Sequence, residues 1–227
     1  MNQQGHLHPL TLFGREMVVT FREMGFAVAD YPEVESEWYN FDGLRMFADH
    51  PARDTQDTFY TTDGRVLRTH CSTVQLRFGE KHRPPFRVIQ FGRSFRNEAT
   101  DATHEAVFHQ LDGIVVEKGT TMGHLLSTQE RFIKALFGAA QEFRFVPAYF
   151  PFVEPGLEVH MKFKDRWLEM WGAGMVHPNV LKNMSIDSQK FSGFAFGIGV
   201  ERLAMLYYGV DDIRSFMAGD LRLVSQF

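Results

Sequence analysis

The chain has 227 residues, a net charge of −4, 44% hydrophobic and 23% charged residues, which is ordinary for a globular protein of one large domain or two small ones. Its acidic balance argues against a stand-alone nucleic-acid binder built on a basic face. The single cysteine, Cys71, excludes a disulfide framework and a cysteine-based zinc site, and no apolar run reaches the eighteen residues that span a bilayer.

The start MNQQGHLHPL lacks the basic and apolar regions of a signal peptide, so a reducing, cytoplasmic setting is expected. From Pro9 the segment PLTLFGREMVVTFREMGF has helical spacing, with Phe13, Met17, Phe21 and Met24 as its apolar stripe and Gly25 as its stop. FAVADYP then alternates like a strand up to Pro32. Asn40 and Asp42 are candidate caps for a short helix running to Met46. A loop and a hairpin turning at Asp63-Gly64 follow, and Ser72 is a candidate cap for the helix STVQLRFG.

Two strands, PPFRVIQFGRSFRNE and FHQLDGIVVEKG, are joined by a polar loop. Met122 to Phe137 has helical spacing. FRFVPAYFPF, LEVHMKF and RWLEMWGAGMV read as strands, NVLKNM as a short helix, FSGFAFGIG as a strand and VERLAMLYYG as a helix. Helices do not alternate with strands, so the fold class is α+β with a mainly antiparallel sheet.

Several stretches carry chemistry. Arg96 and Glu98 stand two apart, on one face of a strand. Outward charges on an edge would account for such a pair by itself. The companion strand, however, puts Phe108, Gln110 and Asp112 in phase, and a wholly polar face is costly inside a protein unless it is paired or binds something. In FGIGVERLAM a glycine turn leads into a helix with Arg202 in its first turn; glycines there more often mark close packing than a phosphate cradle. Phe150, Phe152 and Glu154 are in phase in YFPFVEP, where a core role for the rings is the plain alternative. His70, Ser72 and Gln75 gather at a strand end, where turn and cap chemistry is common. The ten histidines show no metal-ligand spacing.

Together these stretches resemble the class II aminoacyl-tRNA synthetases. HPLTLFGREMVVTFREMGFAVADYP (8–32) is similar to motif 1 of that class, the FRNE and FHQLDG strands (about 86–116) to motif 2, and the segment that starts GFAFGIGVERLAML (about 193–208) to motif 3. HPARD, RTHCS, TDATHEAVFHQLDG, FPFVEP, GAGMVHPNVL and DIRSFMAGDLRLVSQF narrow the resemblance to the α-chain catalytic domain of phenylalanyl-tRNA synthetases.

That resemblance implies one catalytic domain over 1–227, an antiparallel sheet flanked by helices; the coiled-coil arm with which the family's α chain normally begins, and editing and anticodon-binding domains, are not expected in this sequence. It implies ATP-dependent activation of phenylalanine, with Mg²⁺, and transfer to tRNA(Phe) weakened by the missing modules. A paralogue that serves a carrier protein or small-molecule pathway, or a regulatory binding protein, are the alternatives. The implied assembly is a homodimer, or a heteromer with a β-type chain.

By the same resemblance Arg96 meets the α-phosphate and the amino-acid carboxylate, and Glu98 the adenine amino group. Phe108 stacks on the base, Arg202 covers its other face or the γ-phosphate, and His104 reaches the β/γ end. His70, Ser72, Gln75, Gln110 and Asp112 surround the ammonium group. Phe150 and Phe152 meet the substrate ring, Ala195 lines the far end, and Glu154 is a magnesium ligand. Two positions depart from the family pattern: Asp112 replaces a glutamate, and Trp171 a smaller residue.

Overall fold

The computed structural model describes residues 5–50, 58–97 and 105–227. A seven-stranded sheet in the order β1-β4-β5-β9-β8-β7-β6 forms the centre. Its strands are β1 (Ala27–Val28), β4 (Phe86–Phe95), β5 (Val107–Glu117), β6 (Phe143–Phe150), β7 (Val153–Phe163), β8 (Arg166–Val176) and β9 (Ser192–Gly199). Only β1 runs parallel to its neighbour; the other pairings are antiparallel, as the hairpin-rich sequence predicts. A small second ladder joins β2 (Val34–Glu35) to β3 (Val66–Leu67).

One face of the sheet is the main core. It is covered by α1 (Pro9–Glu23), α4 (Met122–Phe137) and α6 (Val200–Tyr208). The stripe predicted for α1 is confirmed, with Phe13, Met17 and Phe21 fully buried, and Gly25 takes the positive φ (88°) that ends the segment. Phe21 is the aromatic hub: its ring stacks on Phe132 at 4.5 Å and on Phe196 at 5.0 Å, with Phe26 edge-on at 5.2 Å. The opposite face carries a smaller core around Leu44, Leu76, Val88, Ile114 and Val180. It is flanked by α2 (Glu37–Asn40), α3 (Thr73–Gly79) and α5 (Pro178–Asn183). Two short C-terminal helices, α7 (Arg214–Met217) and α8 (Leu221–Val224), complete the described elements and have no counterpart in the sequence reading.

Several local expectations are corrected. FAVADYP pairs through two residues only, because Tyr31 and Pro32 leave the sheet and give their carbonyls to the buried Arg68 guanidinium. Asn40 caps nothing. It ends α2, and its amide exchanges two hydrogen bonds with Thr69, both at 3.0 Å. Asp42 opens a single 3₁₀ turn, Asp42–Leu44, without a side-chain cap. FPFVEP is not one strand: β6 stops at Phe150, Pro151 and Phe152 make the turn, and β7 starts at Val153.

Two caps went unforeseen because histidine is not a usual N-cap residue. His8 and His177 each precede a proline at the first helical position, and each accepts through Nδ1 from the N–H two residues on, at 3.2 and 3.0 Å. The His8 Nε2–H also donates to the Phe216 carbonyl at 2.9 Å, which ties the start of α1 to α7. The Asp63-Gly64 hairpin forms as expected, with Gly64 at φ 81° and Tyr60 bridged to Val66.

Phe21→Ala should cost about 3–5 kcal/mol, because three ring contacts and a fully buried side chain are lost at once. Urea unfolding followed by far-UV circular dichroism measures it, and a loss below ~1 kcal/mol would show that Phe21 is not the hub.

Candidate active site

On the sheet face opposite α1 lies a cavity of about 370 Å³. Its floor is formed by β5, β8 and β9. Strand alternation directs Phe108, Gln110 and Asp112 of β5 into it, as their spacing of two predicts, while Leu111 and Val115 face the main core. His70, Ser72 and Gln75 enter from the N-terminal end of α3, Phe150 and Phe152 from the β6–β7 turn, and Ala195 from β9. Arg96, just beyond β4, and Arg202, in the first turn of α6, close one end. Eleven of the fourteen candidate residues thus converge on one cavity. Glu98 and His104 lie outside the described residues.

Glu154 is not brought in. Its side chain is 77% exposed and lies 3.6 Å from His177 Nε2, and the expected magnesium ligand is not among the residues that line the cavity. The single-strand reading of YFPFVEP misplaced it, because the turn at Pro151 and Phe152 breaks the alternation.

The polar end is organised around Asp112, which is 1% exposed. Burial pushes its carboxyl up to about 7, against the Ser72 hydroxyl, the nearby Arg96 and Arg68 charges and the Cys71 backbone N–H, all of which favour the ionised form. Ser72 Oγ donates to Asp112 Oδ2 at 2.7 Å, so this serine serves the carboxylate and does not cap α3, as the sequence suggested. The Nε2–H of His70 donates to the Asn40 carbonyl at 2.9 Å, which leaves Nδ1 as an acceptor. Burial, followed by the Arg96 charge, pushes the His70 imidazole down to about 3, so the ring is neutral.

Four buried acceptors line this end without a hydrogen-bond partner: His70 Nδ1, Gln75 Oε1, Gln110 Oε1 and Asp112 Oδ1. Orphaned polar atoms cost on the order of 1–3 kcal/mol each. Four acceptors, one of them a carboxylate oxygen, fit a group that only donates, such as a primary ammonium.

The apolar end is made by the β6–β7 turn. Phe150 and Phe152 are nearly parallel, with ring centroids 6.0 Å apart. Gly172 allows this: a Cβ there would lie 2.6 Å from the Phe150 ring. Trp171 also lines the cavity, but its indole is committed to the main core, donating to Gln129 Oε1 at 2.8 Å and meeting Phe132 edge-on at 6.0 Å.

At the basic end the Arg96 guanidinium lies 4.9 Å over the Phe108 ring, and its Nε–H donates to the Thr69 carbonyl at 3.2 Å. Arg202 donates to the Glu169 carbonyl at 3.1 Å. Glu105, Tyr149, Glu169, Gly172 and Glu201 also line the cavity and were missed in the sequence. Glu201 left a signal, an acidic residue beside Arg202 in a helical first turn; the others did not.

Over residues 1–227 the chain matches the family described as tRNA synthetases class II core domain (F). The chain belongs to the class II tRNA synthetase core-domain family. It is 48% identical to the phenylalanine–tRNA ligase alpha subunit of Xylella fastidiosa (strain 9a5c), over 99% of this chain and 69% of that protein. The alpha subunits of Xanthomonas oryzae pv. oryzae (strain MAFF 311018) and Synechocystis sp. are 47% and 48% identical, over 100% and 99% of this chain and 70% and 68% of theirs. Two solved structures share the fold. The pyrrolysyl-tRNA synthetase of Desulfitobacterium hafniense aligns at TM-score 0.74 and 18% identity, over 93% of this chain and 74% of that one. A second, PylSc of the same organism, aligns at 0.72 and 19%, over 93% and 71%. The class II resemblance drawn from the three motifs, and the α+β fold, are borne out.

Asp112→Asn should stabilise the ligand-free protein at high pH. A carboxyl raised from 3.8 to about 7 lowers stability as pH rises between those values, since the unfolded chain ionises first. The advantage of asparagine should therefore grow by roughly 2–3 kcal/mol between pH 5 and pH 8. Chemical denaturation at both pH values checks this, and a pH-independent difference would refute it.

Proposed function

We propose that this class II core domain activates phenylalanine with ATP, forming phenylalanyl-adenylate for transfer to tRNA(Phe). One observation carries the amino-acid half: a buried polar end with four unpartnered acceptor atoms, in the same cavity as a pair of phenyl rings. The names of the relatives supply the substrate and the product of transfer.

Adenylate formation is an in-line attack of the amino-acid carboxylate on the α-phosphorus, with pyrophosphate leaving. It needs alignment and charge neutralisation, and no covalent protein intermediate. Asp112, Gln110, Gln75 and the His70 Nδ1 lone pair take the ammonium, with Ser72 holding the carboxylate of Asp112 in place. Phe150 and Phe152 take the ring, and Ala195 bounds it. Arg96 lies between the two substrates, bridging the reacting carboxylate and the α-phosphate. Phe108 and Arg202 grip the base, with Glu98 and His104 assigned to the adenine amino group and the β/γ-phosphates.

Mg²⁺ supplies neutralisation of the spreading phosphate charge. Among the described residues no group of three acidic, histidine or cysteine side chains could hold a metal ion. Glu154, turned to His177, is not assigned to it.

The relatives' designation as alpha subunits supports a heteromer with a second type of chain over the homodimer. Exposed Leu12 and Val19 on α1 and Val28 on the edge strand β1 would suit a buried contact. No helix among the described residues is long and apolar enough to cross a membrane, and the buried free thiol of Cys71 suits a reducing, cytoplasmic compartment.

ATP–pyrophosphate exchange tests the reading. Phenylalanine should support exchange, and Arg96→Ala should lower kcat/KM by about 10²–10³, the loss expected for one transition-state charge contact. Exchange with no amino acid, with or without the second chain, would sink it. Tyrosine should also support exchange, within about a hundred-fold of phenylalanine, because an apolar pocket rejects an added hydroxyl only modestly. Inertness at saturating tyrosine would refute that.

A further inference from the structure

Strand β5 outlasts its partner β9. The last pair in their ladder is Gln110 with Gly199, and there β9 turns into helix α6. One residue further out, His109 still pairs with Arg93 of β4 on one side but has no strand on the other. Its backbone N–H is taken instead by a side chain. Both carboxylate oxygens of Glu201 accept it, at 2.8 and 2.9 Å, and Oε1 also accepts from the His109 ring Nδ1–H at 2.7 Å. Glu201 is 2% exposed, so this carboxylate is committed. Its position in the first turn of α6 also suits the positive end of the helix dipole.

The neighbours on each side matter. His109 follows Phe108 on β5, and Glu201 precedes Arg202 on α6. The His109 ring faces away from the cavity and stacks on Phe91, with centroids 5.7 Å apart. Phe91 in turn lies against Gly14 of α1, where a Cβ would come within 2.6 Å of the ring. His109 thus anchors the pair from behind, while Glu201, Phe108 and Arg202 line the cavity. The Arg202 guanidinium itself donates to the Glu169 carbonyl of β8, not to β5.

We propose that Glu201, acting with His109, is a positioning residue that sets the spacing between Phe108 and Arg202 and so the grip on the nucleotide. The inference rests on the reading above, in which those two side chains hold the base. Removing the carboxylate lets the first turn of α6 drift from β5, which opens the nucleotide slot while the ammonium end, built from α3 and the middle of β5, stays intact. Glutamine keeps a carbonyl acceptor for the His109 N–H and restores most of the spacing. His109→Ala keeps the backbone bond and loses only the ring's, so its effect is smaller.

The test measures ATP·Mg²⁺ binding by titration calorimetry, and pyrophosphate exchange over both substrates, for the wild type, Glu201→Ala, Glu201→Gln and His109→Ala. The protein is used assembled with its second chain where it purifies with one. Glu201→Ala should raise the Kd and KM for ATP about ten-fold or more, with KM for phenylalanine within about two-fold of wild type. Glu201→Gln should recover most of that loss, and His109→Ala should change KM for ATP about two- to three-fold. Unchanged ATP binding in Glu201→Ala, or equal rises in both KM values, would overturn the inference alone. A wild-type protein that binds no ATP would overturn it together with the functional reading. If Glu201→Ala fails to fold, the outcome rests on Glu201→Gln and His109→Ala, and ATP affinity unchanged in both rejects the proposal.

Discussion

The burial of one carboxylate constrains this site more than any other interaction. Asp112 sits in the middle of the sheet at 1% exposure, where ionisation is expensive and every neighbour is selected by it. The start of α3 is pinned by the Ser72 hydroxyl. Gly197 stays bare, because a Cβ there would come within 3.0 Å of Oδ1. Arg68 is buried behind the site with its guanidinium on the carbonyls of Arg93, Tyr31 and Pro32, so a full positive charge is fixed at the rear without neutralising the carboxylate by direct contact. The result is an acid poised near neutrality, with one oxygen held and the other left for a ligand.

The rest follows from giving the two sheet faces different tasks. One face takes the Phe21 cluster, α1, α4 and α6, and supplies rigidity. The other gives up part of its apolar packing to glycines and acceptors. Gly172 and Gly197 make room for Phe150 and Asp112, and the smaller core beneath α3 and α5 holds the cavity's edges. The stability lost on the polar face is affordable because the aromatic core lies directly behind it, through the same strands.

Much of this was legible in the sequence, for reasons of period. Phe108, Gln110 and Asp112 announce one wall because a strand returns every second residue to the same face, and Arg202 is placed by a glycine turn running into a helix. Where the chain breaks its period the reading failed. Pro151 and Phe152 form a turn inside what looked like a strand, which carried Glu154 to the wrong place. Asn40 and Ser72 looked like caps, because short polar side chains near helix ends usually are; Thr69 and Asp112, distant in sequence, claimed them instead. Histidine caps and the Glu201–His109 contact depend on partners that local patterns do not reveal.

The alternation of β5 also limits how such a site can diverge. Its wall residues are fixed as a set by register with β4 and β9. An insertion or deletion of one residue between Phe108 and Asp112 would exchange inside for outside, sending the carboxylate into the aromatic core and presenting a leucine to the polar end of the cavity. Side-chain replacements leave this register intact, whereas a change of length inside β5 does not.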